Sequence, residues 1–312
     1  MNYQFNYTFI IPHHNCPDLL RRCLDSIPKR DDLQIIVVDD ASDEDKLPSE
    51  IRTDVEMYYI SKTETKGAGH ARNIGLSHAY GKWIIFADAD DFFVSDLEYI
   101  LDKYLDETSD IIYFNIKSCY SDNPSVLYHD TKDKLFDIYN ITGDEKVFRI
   151  GYTEPWGKLI RKQLLDEKKI VFQETRANND FLFSVKSGIS AKTIQVVNKP
   201  IYWYVFRIGS LGNSIGREPL EKSKDRLLAF CEVEKVLKDN HVKTRLYLPS
   251  IPARYFFYHN IRGFVKSIQF MKSIGINFPR LYIEIFFYMI KRILHIRQYE
   301  IYECFYYNKK NK

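Results

Sequence analysis

Four short apolar runs, each cut off by polar or acidic residues, constrain this chain more than any other feature. Phe5–Ile11 stops at Pro12 and the pair His13-His14, and Gln34–Val38 stops at Asp39-Asp40. Met57–Ile60 leads towards a glycine-containing turn, Lys66-Gly67-Ala68-Gly69, and Trp83–Ala87 runs straight into Asp88-Ala89-Asp90-Asp91. Helical spacing fills the gaps: Leu19, Leu20, Cys23, Leu24 and Ile27 follow Asn15-Cys16-Pro17-Asp18, where Pro17 suits a first turn. Ala71, Ile74, Leu76 and Ala79 recur likewise, closed by Gly81. A strand apolar at nearly every position must be covered on both faces. Strands of this kind alternating with helices predict an α/β fold with a largely parallel central sheet. Such sheets bind ligands beyond the carboxyl ends of their strands, which is where His13, His14, Asp39, Asp40, Asp88 and Asp90 fall.

The pattern continues less regularly. Asp110–Ile116 reads as a strand, Lys158–Glu167 as a helix, Asn179–Gly188 as a helix, and Lys192–Val197 and Ile201–Phe206 as two further strands. From about Arg217 the period is helical to the end, broken near Pro249, Pro252 and Pro279. A boundary near residue 210 follows from that change of period. It separates a catalytic domain, 1–210 (a nucleotide half to about 115, an acceptor half from 116), from a helical region, 211–312. Charge changes there too. From His241 onward thirteen Lys or Arg face three Glu, so that this segment carries about +10 and the remainder about −7. With 45% hydrophobic residues in 312, the chain can bury a sizeable core.

Asp88-x-Asp90 at a strand end is the sharpest chemical signal. Hard divalent cations such as Mg²⁺ and Mn²⁺ prefer oxygen ligands, and alternate residues on an extended backbone point to one side. Taken alone the pair could equally cap a helix. Four motifs in order carry more: Ile10-Ile11-Pro12-x-x-Asn15, then Ile36-Val37-Val38-Asp39-Asp40-Ala41-Ser42, then Gly69-His70-Ala71-Arg72-Asn73-x-Gly75, then Phe86-Ala87-Asp88-Ala89-Asp90-Asp91. Together they resemble the family 2 glycosyltransferases, inverting enzymes of the GT-A fold, of the bacterial capsule, lipopolysaccharide and exopolysaccharide type. The resemblance is close over residues 7 to 95, looser to about 212, and absent beyond.

The resemblance implies a Rossmann-like nucleotide-binding sheet with helices on both faces, and a role for each matched residue. Asp40 would accept the imide N–H of a uracil base, Pro12 would touch that base, and His14 would stack on it. Arg72 would lie by the diphosphate. Asp88 would lie near ribose and metal, and Asp90 would be the principal ligand of Mn²⁺ or Mg²⁺. Arg176-Ala177-Asn178-Asn179-Asp180 resembles the family's Glu-Asp motif with Asn179 in place of the first acid, leaving Asp180 as the catalytic base. Trp156 and Lys158, in Thr153-Glu154-Pro155-Trp156-Gly157-Lys158-Leu159, would serve the acceptor sugar, with Glu174 and Arg207 along the same cleft. The implied reaction moves a sugar from a nucleotide-diphospho-sugar, a UDP-sugar first, to a glycan or lipid-linked glycan hydroxyl. Plainer roles stay open for the same residues. Asp39 and Asp40 can cap the turn through Ser42, Arg72 can sit on a helix surface, and Trp156 and Lys158 can be a buried ring and a surface cation.

Two other classes remain. A sugar nucleotidyltransferase also uses an α/β sheet with carboxylate-bound metal, but the glycine-rich basic loop after strand one is missing. A nucleic-acid-binding or scaffold protein using the basic tail would have no need of acids at three strand ends, and without metal those acids repel phosphate, so no nucleic-acid partner is expected. Five scattered cysteines with no C-x-x-C pair argue for a reducing, cytoplasmic compartment. No basic n-region precedes the first apolar run, and no stretch reaches the roughly 20 apolar residues of a membrane helix. Arg280, Glu284, Lys291, His295 and Gln298 share one helical face, with Ile283, Phe286, Phe287, Ile290, Ile293 and Leu294 mostly elsewhere and Arg297 breaking the pattern. That helix suits docking on the anionic inner surface of a cell membrane, or packing on the catalytic domain or on a second copy in a homodimer.

Overall fold

The computed structural model describes residues 3–49, 51–121, 123, 127, 132–175, 178–207, 220–242, 250–257 and 259–274, and beyond these only 282, 283, 285–287, 289 and 290. The chain divides into two compact units: Met1–Thr175 with Phe183–Arg207, and Arg176–Leu182 with Ile208–Lys312.

The first unit is built on one eight-stranded sheet, ordered β3-β2-β1-β4-β7-β6-β8-β5. β1 (Phe5–His13), β2 (Leu33–Asp40), β3 (Val55–Ile60) and β4 (Gly81–Phe86) form a parallel half. The crossovers contain α1 (Pro17–Asp25) and α2 (Ala68–Ser77). Every residue of β2, and Tyr7 to His13 of β1, is buried, as the unbroken apolar runs predict for strands covered on both faces. Two polar residues inside this core, Thr8 and Gln34, are fully bonded. Thr8 Oγ1 donates to Gln34 Oε1 (2.8 Å) and accepts from Gly81 N–H (2.9 Å), while Gln34 Nε2 donates to the His78 carbonyl (2.9 Å). They tie off the turn entering β4 at the end of the sheet opposite the acids. α2 lies close on β1 because residue 75 is glycine: a Cβ there would stand 2.4 Å from Ile10 Cγ2.

The second half of the sheet is mixed, with two strands reversed. β6 (Ile111–Tyr120) runs parallel to β8 (Ile194–Phe206), but β7 (Lys158–Arg161) lies antiparallel between β4 and β6. β5 (Phe92–Phe93) pairs antiparallel with the end of β8. Helices α3 (Leu97–Tyr104), α4 (Lys132–Thr142), α5 (Lys146–Gly151), α6 (Lys162–Glu167) and the later turns of α7 (Asn179–Ser190) complete this unit. The mixed α/β, GT-A-like fold is as the resemblance implies.

Several local readings are corrected. The segment expected as one helix, Lys158–Glu167, is a strand followed by a short helix; Lys158-Leu159-Ile160 is needed to bridge β4 and β6. The two expected strands between Lys192 and Phe206 are one, which passes Pro200 with a register shift against Asn115. Pro12 does not end β1, which continues to His13, paired with Asp39. Gly81 begins β4 rather than closing the helix before it, which ends at Ser77 with His78 as its cap.

The second unit contains the first turn of α7, α8 (Leu220–Asp239), α9 (Ser250–Phe257) and α10 (Ile261–Ser273). α10 packs on α8 and α9 and is capped by Asn260, whose side chain accepts from Gly263 N–H (2.8 Å). Asn178 accepts from Arg226, and Phe181 meets Phe230 edge to face. Ile261, Val265, Tyr282, Ile283, Phe286 and Phe287 are all exposed. Of the amphipathic face read over 280–298, residues 280, 281, 284, 288 and 291 onward lie outside the described residues.

Candidate active site

The ends of β1, β2 and β4 bring the acids and histidines to one edge of the first unit, and their hydrogen bonds divide them by task. His13 is 1% and Asp39 1% exposed. His13 Nδ1–H donates to Asp39 Oδ2 (2.7 Å), and its Nε2 accepts from Cys16 N–H (3.2 Å), which fixes one tautomer. Asp39 also accepts from the Ser42 hydroxyl (2.6 Å) and Ser42 N–H (3.0 Å). Asp39 therefore takes the plainer role, tying the turn after β2 to β1. Asp40 faces the other way. Its Oδ1 accepts from Thr65 (2.5 Å), and its Oδ2 makes no hydrogen bond among the described residues. His14 is exposed, with its ring held by a bond from Nδ1–H to the Asp40 carbonyl (2.8 Å). Pro12 lies buried beneath them, opposite Val38.

Helix α2 brings Arg72 to the same edge. Its start needs Gly67, whose φ of +89° is open to glycine and strained for other residues. Arg72 is 5% exposed, packs over the Phe172 ring, and donates through Nη2 to Asp88 Oδ1 (2.5 Å), so it is not the helix-surface residue of the plainer reading. Beside it, Lys66 Nζ and His70 Nδ1–H both bond Glu174, at 2.6 and 2.8 Å, and these bonds hold the Glu174 carboxyl down at about 2.

Residues 88–91 form a turn, closed by Asp91 N–H to the Asp88 carbonyl (3.0 Å), rather than the extended stretch expected from the spacing. The turn is held from two further elements. From α1, Arg22 donates to the Asp90 carbonyl (2.5 Å) and stacks over Phe92. From the end of β8, Arg207 donates to Asp90 Oδ2 (2.5 Å), and Val205 N–H to Asp91 Oδ1 (2.7 Å). From the same strand, Tyr202 accepts at its hydroxyl from Asp88 N–H (2.8 Å) and donates to Asp91 Oδ2 (2.8 Å). Burial first, then the neighbouring Asp88, pushes the Asp90 carboxyl above its ordinary range, against the pull of Arg207. Burial, with Asp90 and Asp88, pushes fully buried Asp91 well above it.

This crowding of acid bears on a cation. A divalent ion would relieve the repulsion between Asp88 and Asp90, and hard oxygen donors suit Mg²⁺ and Mn²⁺. Among the described residues no third His, Cys, Asp or Glu joins them to complete a set. The protein offers two carboxylates and leaves other positions to water or ligand oxygens, a usual arrangement for Mg²⁺ beside phosphates.

On the other side of the turn, Trp156 is 6% exposed and stacks on Tyr202 (5.4 Å, 16°) and Tyr204 (5.7 Å, 23°). Lys132 lies over the Trp156 ring and bonds Glu154 (2.5 Å). Burial works to raise the Glu154 carboxyl, but Lys132 and Lys158 outweigh it and hold it below its ordinary range. Lys158 is 2% exposed, its ammonium bound to the Tyr152 carbonyl (2.7 Å) between the Tyr113 and Tyr152 rings. It is an interior strut rather than a surface cation or an exposed acceptor contact. Asp180 stands in the acidic first turn of α7 and clusters with the second unit.

Thr65, Arg22 and Tyr202 were not marked by any motif. The one hint was the third acid in the run, Asp91: a buried carboxylate must find donors.

Residues 8–168 match the family model described as Glycosyl transferase family 2. The chain is 27% identical over 218 residues to glycosyltransferase GlyA of Streptococcus pneumoniae serotype 4, covering 65% of this chain and 31% of that one. It is 26% identical over 209 residues to the poly(ribitol-phosphate) beta-N-acetylglucosaminyltransferase TarS of Staphylococcus aureus, covering 64% and 35%. It thus spans about a third of these relatives' length. Among solved structures, S. aureus TarS 1-349 in complex with UDP-GlcNAc superposes with a TM-score of 0.54 at 18% identity, over 88% of this chain and 93% of that one. The mannosyltransferase PcManGT of Pyrobaculum calidifontis, in complex with GDP-Man and Mn2+, gives 0.50 at 18% identity, over 93% and 81%. Of the classes left open by the sequence, the family match selects sugar transfer. No helix among the described residues is long and apolar enough to cross a membrane.

Proposed function

This chain belongs to glycosyl transferase family 2, and on that premise we propose that it is an inverting, metal-assisted transferase that takes a UDP-sugar as donor and a glycan hydroxyl as acceptor in bacterial surface polysaccharide synthesis. The observation that carries the proposal is the grouping, at one sheet edge, of Asp40 with an uncommitted oxygen, a fixed His14 ring, and Arg72 bonded to Asp88 next to Asp90. A carboxylate oxygen suits the imide N–H of uracil, a flat imidazole suits its face, and a guanidinium suits a diphosphate. Pro12 closes the floor beneath the base.

Asp90 and Asp88 would hold Mn²⁺ or Mg²⁺. A divalent cation there supplies charge neutralisation for the diphosphate that leaves. In the proposed step Asp180 takes the proton of the acceptor hydroxyl while that oxygen bonds the anomeric carbon and the bond from that carbon to the diphosphate oxygen breaks. A single displacement inverts configuration. A positioned base contributes about 10²- to 10⁴-fold. Trp156 would be the apolar wall for the acceptor sugar, with Lys132 lying over its ring. In this reading residues 1–210 form the catalytic domain and 211–312 an accessory region. Exposed Ile261, Val265, Ile283, Phe286 and Phe287, in a segment rich in Lys and Arg, favour docking of that region on an anionic membrane surface that presents a lipid-linked acceptor. Flotation with anionic vesicles tests this: a chain that floats only with anionic lipid supports it, and a dimer that never floats points to a second copy instead.

The donor is tested by thermal unfolding with UDP, GDP, dTDP and NAD, each with Mn²⁺ and with EDTA. A nucleotide at 100 times its Kd stabilises by about 2.7 kcal/mol. Stabilisation by UDP that needs the metal is expected; no stabilisation by any nucleotide diphosphate overturns the reading.

A further inference from the structure

We propose that Tyr202 is the positioning residue of the 88–91 turn: by accepting from Asp88 N–H while donating to the Asp91 carboxylate, its hydroxyl sets the backbone from which Asp88 and Asp90 present their carboxylates to a divalent cation. The inference rests on the metal-assisted reading above and concerns a residue that no motif marks.

Three observations carry it. The first is the double use of the hydroxyl. It has one proton and accepts through its lone pairs, and here the proton goes to Asp91 Oδ2 and a lone pair to Asp88 N–H, both at 2.8 Å. The two ends of the turn are therefore joined through one atom. The second is the fixed position of that atom. Tyr202 is fully buried on β8, its ring stacked on Trp156 (5.4 Å, 16°) and set edge-on to Phe93 (5.2 Å, 74°), so the hydroxyl has little freedom to follow a turn that moves. The third is the burial of Asp91. At 1% exposure, with its oxygens bonded to Tyr202 and Val205, it has no access to a ligand and serves as an anchor. A phenylalanine would fill the core at position 202 equally well. What the hydroxyl adds is a constraint on the two carboxylates. Because Trp156 covers the same ring, the wall offered to the acceptor and the turn offered to the metal are braced against one side chain.

Removing a group that orients metal ligands typically costs about 10- to 100-fold in metal affinity. The test is a titration of the full chain with Mn²⁺ in saturating UDP, read by the EPR signal of free Mn²⁺, alongside urea unfolding without metal. Tyr202→Phe keeps the ring and its stacking. We expect it to weaken Mn²⁺ binding at least tenfold while UDP binding in EDTA stays at the wild-type level, and to lower kcat more than it raises the donor KM. A merely structural tyrosine would lower the urea midpoint and leave the Mn²⁺ titration unchanged, and that result overturns the proposal. Should Tyr202→Phe not fold, Asp91→Asn, nearly isosteric, gives the same readout: weakened Mn²⁺ binding supports the anchor, wild-type binding overturns it. A wild-type chain that binds no Mn²⁺ with UDP would instead remove the metal-assisted reading itself, and this inference with it.

Discussion

Asp39 and Asp40 are neighbours of identical chemistry, and the structure assigns them opposite consequences when each is changed to asparagine. Three donors converge on Asp39: His13 Nδ1–H and the Ser42 hydroxyl on Oδ2, Ser42 N–H on Oδ1. An amide offers one oxygen and one NH₂. With its oxygen at the Oδ2 position, its NH₂ meets Ser42 N–H. With its oxygen at the other position, the NH₂ meets His13 Nδ1–H, and a change of His13 tautomer only moves the conflict to Cys16 N–H, which Nε2 now satisfies. One buried donor is left without an acceptor either way, at about 1–3 kcal/mol, and the surviving bonds lose their charge assistance, so Asp39→Asn is expected to cost about 2–4 kcal/mol. Asp40→Asn keeps an oxygen for Thr65 and is expected to cost less than about 1 kcal/mol, while abolishing the uridine-nucleotide stabilisation. Urea unfolding followed by tryptophan fluorescence measures both, since Trp83, Trp156 and Trp203 all belong to the first unit. Equal losses of stability in the two variants, or a stable Asp39→Asn beside an unfolded Asp40→Asn, would refute the division of roles.

Gly75→Ala sets a gain in helix propensity of about 1 kcal/mol against overpacking of about 1–3 kcal/mol from the 2.4 Å approach to Ile10; a net loss is expected in the same urea series, and a gain would show that α2 can lift off β1. Asp180→Asn is expected to lower kcat about 10²- to 10⁴-fold with the Kd for UDP unchanged, checked by turnover and calorimetry; equal loss of both would remove the base assignment. For Glu174, bonds from Lys66 and His70 lower the carboxyl from 4.5 to about 2, so its stabilising effect is complete above about pH 4.5 and disappears as the pH falls towards 2. The effect is small because the pair is exposed. Glu174→Gln should flatten only that acid limb in a pH series of unfolding midpoints, and a change confined to neutral pH would contradict the assignment.

β1, β2 and β4 were legible because they are buried on both faces, so that their apolar runs are continuous and end abruptly. β7 was not, since Lys158–Arg161 is short, begins with a lysine and precedes a true helix; only its partners on β4 and β6 make it a strand. β5 and α3 left no mark, one being two residues long and the other lying between stronger signals. At the site, the acids were legible by type and order, but their division was not. That Asp39 is buried under Ser42 while Asp40 keeps a free oxygen depends on the turn at Ala41, whose φ is +60°. Tyr202 looked like any aromatic in a strand, because its two hydrogen-bond partners lie over a hundred residues earlier.

The strand order has a consequence for the time at which this site comes into being on the ribosome. β1 to β4 are contiguous in sequence and can pair as they emerge, but β6 has no neighbour until β7 and β8 are made, and β5 waits for β8. A growing chain therefore carries an apolar, unpaired β6 and an open β4 edge through several dozen residues of synthesis, the interval most exposed to mispairing. The turn at 88–91 is translated early and braced last. Tyr202, Val205 and Arg207 arrive together at the end of the first unit, so the acidic cluster, met earlier only by Arg22 and Arg72, lacks its remaining anchors until that unit's final residues are in place.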